Sequence, residues 1–260
     1  GLRPARAAGT ISITTLATAL TENFDTLANT GTSSTVPTGW YLAEVGSSSA
    51  ADGQYVAGDG SGSAGNAYSF GATSSTERAF GGLQSGTLAP YVGANYINNT
   101  GQTITQLTIS YTGEQWRFGS ATRVPAGPDR LDFQLSTDAT TLLNGTWPDY
   151  DSLDFTSPIF TGTAGLLDGN AAANKLLVSN VITGLNIANG ASFWIRWADF
   201  NVASSDDGLG IDDFSLTADA PVTPTNPSGT GAANPDPVTA GNNVLLTVTV
   251  TPGTNPASTG

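Results

Sequence analysis

From Ile11 onward the chain alternates short apolar runs with turns rich in Gly, Asn, Ser and Thr. In Ile104 to Tyr111, Leu107, Ile109 and Tyr111 fall on one face and Thr108 and Ser110 on the other. That period of two belongs to a strand buried on one side. The preceding Asn98-Asn99-Thr100-Gly101 is a turn signal. Leu131 to Leu135 alternates strictly, and so does Phe193 to Trp197, although both faces of the latter carry aromatic rings. Lys175 to Val181, Gly184 to Ile187 and Ile211 to Leu216 complete a set of short strands, and a single helical turn is expected near Ala171 to Lys175. Many short strands spaced by turns predict an all-β, jelly-roll-like antiparallel sandwich of the concanavalin-like or galactose-binding-like kind.

The pattern changes at Ala220. Residues 221–229 are Pro-rich and poor in apolar side chains, so 220–241 reads as a linker between domains. The apolar run Asn243 to Val250 then reads as a lone strand, within 242–260. One strand is not a domain. It either opens an immunoglobulin-like domain or completes a neighbouring subunit's sheet. The sandwich itself is expected over 9–219. Residues 1–8 read as the remnant of a signal peptide, because Ala5 and Ala7 give the small-x-small pattern that precedes cleavage.

Composition narrows the chemistry. Of 260 residues only 11% are charged, about half the usual share, and the net charge is −13. Eight basic residues without a cluster cannot neutralise a phosphate backbone, so nucleic acid is not an expected partner. The chain contains neither Cys nor His. That removes disulfides, thiolate and Ser-His-Asp catalysis, and zinc sites built on those ligands. No apolar stretch is long enough to span a membrane as a helix. An acidic chain of this kind suits an extracellular location and cation binding.

The densest acidic cluster lies between Trp197 and Phe214. Asp199, Asn201, Asp206, Asp207 and Asp212 are the hard oxygen donors calcium takes, and Gly208 and Gly210 allow tight turning. The spacing is not that of an EF-hand loop. The competing reading is that these carboxylates cap turns and face water. A second constellation is Trp116 and Arg117 with Trp194 and Arg196. One reading is a sugar-binding face. The other is internal pairing of the two arginines with Glu114 or Asp132 against core rings. The stretch Trp147 to Phe155 reads either as part of a ligand site or as a loop anchored by its aromatics, and paired carboxylates there or elsewhere give only a weak glycosidase signal.

The segments ISYTGEQWRFG (109–119) and FWIRWADFNVASSDDGLGIDDFSL (193–216), with GWYLAEVG (39–46) and ERAFGGL (77–83), resemble the amino-terminal β-sandwich module of large bacterial secreted proteins. Those proteins also carry lamin-tail, immunoglobulin-like and endonuclease/exonuclease/phosphatase domains. The resemblance spans about Phe24 to Leu216, and the tail resembles the start of the immunoglobulin-like domain that follows. It implies an extracellular, accessory, non-catalytic role and gives no residue a function. The expectation is therefore a secreted or surface module with a structural, adhesive or glycan-contacting role, stabilised by calcium. The alternatives are a fibre subunit assembled by strand donation through 244–250 or 11–16, and an accessory domain of a secreted nuclease or glycosidase.

Overall fold

The computed structural model describes residues 9–123, 126–220, 228–234, 240, 241, 243 and 245–253. The expected signal remnant at 1–8 and residues 221–227 of the linker lie outside them. The chain divides after Ala220 into two units. The first contains β1 (Ile11–Ile13), β2 (Ala19–Glu22), β3 (Thr32–Ser33), β4 (Trp40–Gly46), β5 (Tyr55–Gly58), β6 (Asn66–Phe70), β7 (Ala79–Leu83) and β8 (Leu88–Asn98). It continues with β9 (Ile104–Phe118), β10 (Arg130–Ser136), β11 (Phe155–Thr156), β12 (Gly165–Leu166), β13 (Lys175–Ile187), β14 (Ser192–Asp199) and β15 (Gly208–Asp219). The second contains β16 (Ser228–Asn234) and β17 (Leu245–Thr251).

The first unit is the all-β sandwich the alternation predicts. One sheet has six strands in the order β1-β8-β14-β10-β11, with β4 also on β8. The other has nine, β12-β9-β15-β7-β6-β5-β3, with β13 on β9 and β2 on β15. Leu107, Ile109 and Tyr111 of β9 are fully buried, as the period of two requires. The two-faced aromatic run in β14 is resolved by the same rule. Phe193, Ile195 and Trp197 enter the main core, while Trp194 joins a separate cluster with Leu142 on the other face. Trp197 holds the centre of the core. Its ring stacks on Trp40 at 6.1 Å and meets Tyr111, Phe133 and Phe214 edge-on at 5.1, 5.1 and 5.7 Å, the offset and edge contacts that ring quadrupoles favour.

Three expectations change. Residues 175–187 form one strand, not two, with an irregularity between Thr183 and Ile187 where Gly184 has φ +75°. The segment before Lys175 is a pair of hydrogen-bonded turns, Ala171 N–H to Asp168 O and Asn174 N–H to Ala171 O. The short helical element is a 3₁₀ turn at Asp151–Leu153. The tail strand is not alone. Residues 228–234, assigned to the linker for their poor apolar content, pair antiparallel with 245–251 along their whole length. A Gly/Ala/Thr strand has little side chain to betray it. The other strand considered for donation is also partnered, since β1 pairs in parallel with β8 through Ile11, Ser12 and Ile13. Among the described residues no helix is long and apolar enough to cross a membrane.

Candidate cation sites and an aromatic face

Leu209 and Ile211 of β15 fill the core, so Gly210 and Asp212 face outward from the nine-stranded sheet. Glu114 of β9 stands opposite Gly210 in the register. The pairing of β15 with β9 then slips between Asp212 and Ser215, with Asp213 at φ +47°. This bulge places two acidic residues between inward-facing Ile211 and Phe214. Bulges of this kind re-aim side chains. Glu77, just ahead of β7, comes from the other side of β15. Thus β9, β15 and the segment leading into β7 bring Glu77, Glu114 and Asp212 together, one carboxylate oxygen of each lying within 4.8 Å of the others.

This group is dry. Glu114 is 0% and Asp212 7% exposed. Glu114 Oε2 accepts the Trp116 indole N–H at 2.9 Å, and Glu77 Oε2 accepts the Asn170 amide. Glu77 Oε1, Glu114 Oε1 and Asp212 Oδ1 are buried and have no hydrogen-bond partner. The segment 165–174 covers them. Leu167 N–H donates to Trp116 O and Gln115 N–H to Asn174 O, both at 2.9 Å. Gly169 lies so close to the Trp116 ring that a Cβ would fall 2.3 Å from it. Burial pushes the Glu114 carboxyl up to about 7 and that of Asp212 up to about 8, the charges of neighbouring carboxylates adding to the latter. Two ionised carboxylates at this separation repel by about 3 kcal/mol at an effective dielectric of 20.

The acidic cluster singled out in the sequence is divided. Asp199 and Asp206 do meet, but with Asp129 of the segment before β10 as the third member. Asp199 Oδ2 accepts Gln84 N–H at 2.9 Å, while its Oδ1 is buried without a partner. Burial, and then the charges of Asp129 and Asp206, push the Asp199 carboxyl well up. Asp207 serves differently. Its carboxylate accepts Arg123 Nη2 at 2.6 Å and Nη1 at 3.1 Å, Gly119 N–H at 2.7 Å and Gln115 Nε2 at 2.9 Å. A carboxylate so saturated has no lone pair directed at an ion. Asn201 is exposed, and Asp212 belongs to the trio above. Asp129 and Glu77 were not singled out in the sequence because their partners come from distant strands. The signals were there for Glu114, which shares a strand face with Trp116, and for the doubled Asp that interrupts the alternation of β15.

The four residues grouped as a possible sugar-binding face lie on different sheets. Trp116 is 1% exposed and stacks on Phe70 at 6.2 Å, and Arg117 Nη1 donates to the Gly60 and Ser61 carbonyls. Neither arginine pairs with Glu114 or Asp132; Asp132 is held by Arg130. Trp194 and Arg196 sit on the outward face of the six-stranded sheet. There the Arg196 guanidinium lies over Trp147 at 4.0 Å and Tyr91 at 5.0 Å. Its Nε donates to Gln134 Oε1 at 2.7 Å, and Nη1 donates to Leu142 O. Burial holds the Arg196 pKa down at about 10. Tyr41 packs on Trp194 at 4.7 Å. Tyr41, Tyr91 and Trp147 are half-buried, so ring surface remains open to solvent around a fixed cation. The stretch 147–155 is anchored by its rings, with Trp147 on Arg196, Tyr150 against Phe133 at 6.4 Å and Phe155 in the core. Asp149, Asp151 and Asp154 form a third acidic group on this loop, two of them exposed.

No family model matches the chain, and no curated protein matches it. Solved structures do. The K2 cleaved adhesin domain of Lys-gingipain is 14% identical with a TM-score of 0.41, the match covering 76% of this chain and 97% of that one. The CBM22-1 xylan-binding domain of Xyn10C from Paenibacillus barcinonensis is 10% identical, with a TM-score of 0.31 and coverage of 79% and 97%. The enzymatically active domain of tailspike protein 4 of bacteriophage CBA120 is 9% identical with a TM-score of 0.37. That match covers 69% of this chain and spans only 19% of the tailspike. Likenesses this distant carry no argument about function.

Proposed function

We propose that this chain is a non-catalytic extracellular binding module, and that its contact surface is the outward face of the six-stranded sheet, which takes a neutral glycan. The observation that carries this reading is the half-open set of rings on one face, Tyr91 and Trp147 against Arg196 and Tyr41 against the neighbouring Trp194. Pyranose rings present apolar C–H faces that stack on aromatic rings, and their hydroxyls accept from a guanidinium edge. Two Arg196 donors are already engaged by Gln134 and Leu142, and the chain carries −13 net charge. Both features favour a neutral sugar over a polyanion. Tyr41 and Tyr91 stand on β4 and β8, and Trp147, in the loop after β10, is fixed against Arg196 and by its indole N–H to Asn144 O, which limits the entropy lost on binding.

A glycan array followed by affinity electrophoresis in neutral polysaccharides tests this. Retardation by at least one neutral polymer, weakened about 30-fold in Trp147→Ala, is expected, because removing a central interface ring costs about 2 kcal/mol or more. Equal retardation of wild type and variant, preference for heparin-like polymers, or release of reducing sugar would contradict the reading.

A further inference from the structure

The three carboxylates Glu77, Glu114 and Asp212 are a costly arrangement for a sandwich to bury. Two come from the adjacent strands β9 and β15 and the third from the segment leading into β7; each has one oxygen shut off from solvent with no partner, and one carboxylate oxygen of each lies within 4.8 Å of the others. Buried charges are retained when they are paired or bind metal. Among the described residues no Lys or Arg nitrogen comes within ion-pair distance of the trio. The adjacent Arg78 is committed elsewhere, its guanidinium donating to Ser69 Oγ at 2.8 Å and to the carbonyls of Ser69, Gly58 and Ala72. The second oxygens of Glu77 and Glu114 are held in place by Asn170 and Trp116. That is how outer partners orient ligating carboxylates.

We propose that Glu77, Glu114 and Asp212 bind a calcium ion, which pins segment 165–174 to the nine-stranded sheet. Three carboxylate oxygens are hard donors of the class calcium takes, and calcium tolerates irregular geometry, with the rest of its shell coming from carbonyls or water. The nearest cation on the β9 side is Lys175, opposite Glu114 in the β13–β9 register, which acts on Glu114 without forming an ion pair, and the ion would supply the close positive charge. The clasp follows from the contacts: Asn170 reaches Glu77, and Gly169 lies on the ring of Trp116, which in turn donates to Glu114. The site lies on the opposite sheet from the aromatic face, so glycan binding and calcium binding fail independently.

The test uses the intact 260-residue chain, with terbium as a luminescent calcium surrogate. Excited tryptophan should sensitise bound terbium, and calcium should compete the emission away. Trp116→Phe should remove most of it. Isothermal titration with calcium should show affinity falling by roughly 100-fold or more in Glu114→Gln and in Asp212→Asn, since loss of a mere outer partner already costs 10- to 100-fold. Both variants relieve buried charge, so their circular dichroism should stay wild type and their calcium-free melting temperature should equal or exceed that of the chelated wild type. Chelation should speed hydrogen exchange in 165–174 of the wild type but not of Glu114→Gln or Asp212→Asn. Asp199→Asn should bind calcium as the wild type does. The proposal is overturned if wild type shows no calcium-dependent heat or melting shift. It is equally overturned if Asp199→Asn abolishes binding while Glu114→Gln and Asp212→Asn keep it, which would put the ion at Asp129, Asp199 and Asp206.

Discussion

Asp207 is predicted to be a structural anion whose partner is Arg123, and the strength of that pairing can be measured. Arg123 is 3% and Asp207 0% exposed, and the two guanidinium nitrogens grip both carboxylate oxygens at 3.1 and 2.6 Å. Arg123 also lies 3.8 Å from Asp129 Oδ2 and donates through Nε to Ser120 O at 2.8 Å. It is therefore the cation that offsets the acidic group around Asp129 and Asp207. Arg123→Met leaves Asp207 with the Gly119 and Gln115 donors but no counter-charge, which should cost about 3–5 kcal/mol. Asp207→Asn turns an amide N–H toward the guanidinium and leaves the arginine only the more distant Asp129 carboxylate, at a similar or somewhat smaller cost. The double variant buries neither charge. It should cost little more than either single change, a coupling of roughly 2–4 kcal/mol. Urea unfolding followed by tryptophan fluorescence measures all three, because Trp197 is buried at the core centre. At about 2–4 °C per kcal/mol for a domain this size, each single variant should also melt about 6–20 °C lower. Additivity within about 0.5 kcal/mol would refute the pairing and return Asp207 to the pool of candidate metal ligands.

In chelator the fold should lose stability as pH rises. Asp154, Glu114 and Asp212 have carboxyls raised to about 6, 7 and 8 by burial, against about 4 in the unfolded chain. The folded state thus holds protons the unfolded state has released. The stabilisation is complete below pH 4 and disappears as pH climbs through 6 to 8. A chelated melting temperature that rises between pH 5 and 8 would contradict this. Gly113→Ala should destabilise by about 1–3 kcal/mol, since a Cβ there would sit 2.2 Å from the Phe155 ring; urea midpoints decide it. On the open strand β13, Leu177→Lys should change stability by no more than about 0.5 kcal/mol, because Leu177 is 74% exposed.

The fold was legible because burial on one side of a strand writes itself into the sequence. Leu107, Ile109 and Tyr111 declare their face, and Leu131, Phe133 and Leu135 theirs, with every one of them buried. The hairpin partner at 228–234 was hidden because glycine, alanine and threonine carry no such alternation. The acidic clusters were half legible. A local run of Asp shows that carboxylates are near one another, but strand order decides which meet. Asp206 and Asp207 are adjacent in sequence, yet one turns to Asp129 and Asp199 while the other goes to Arg123. Similarly, Trp116 and Trp194 look equivalent in sequence, both on aromatic strands with a neighbouring arginine. Sheet membership separates them: Trp116 lies under segment 165–174, and Trp194 backs the half-open face of Tyr41 and Trp147.

The five tryptophans offer the most direct test of the contact surface. Indole N–H signals can be followed by NMR while a neutral oligosaccharide selected by the array is titrated in. The account predicts that the signals of Trp147 and Trp194 move with saturation, while those of Trp40 and Trp197, in the core, stay fixed. Shifts confined to Trp116, or a saturating ligand that moves neither Trp147 nor Trp194, would contradict it.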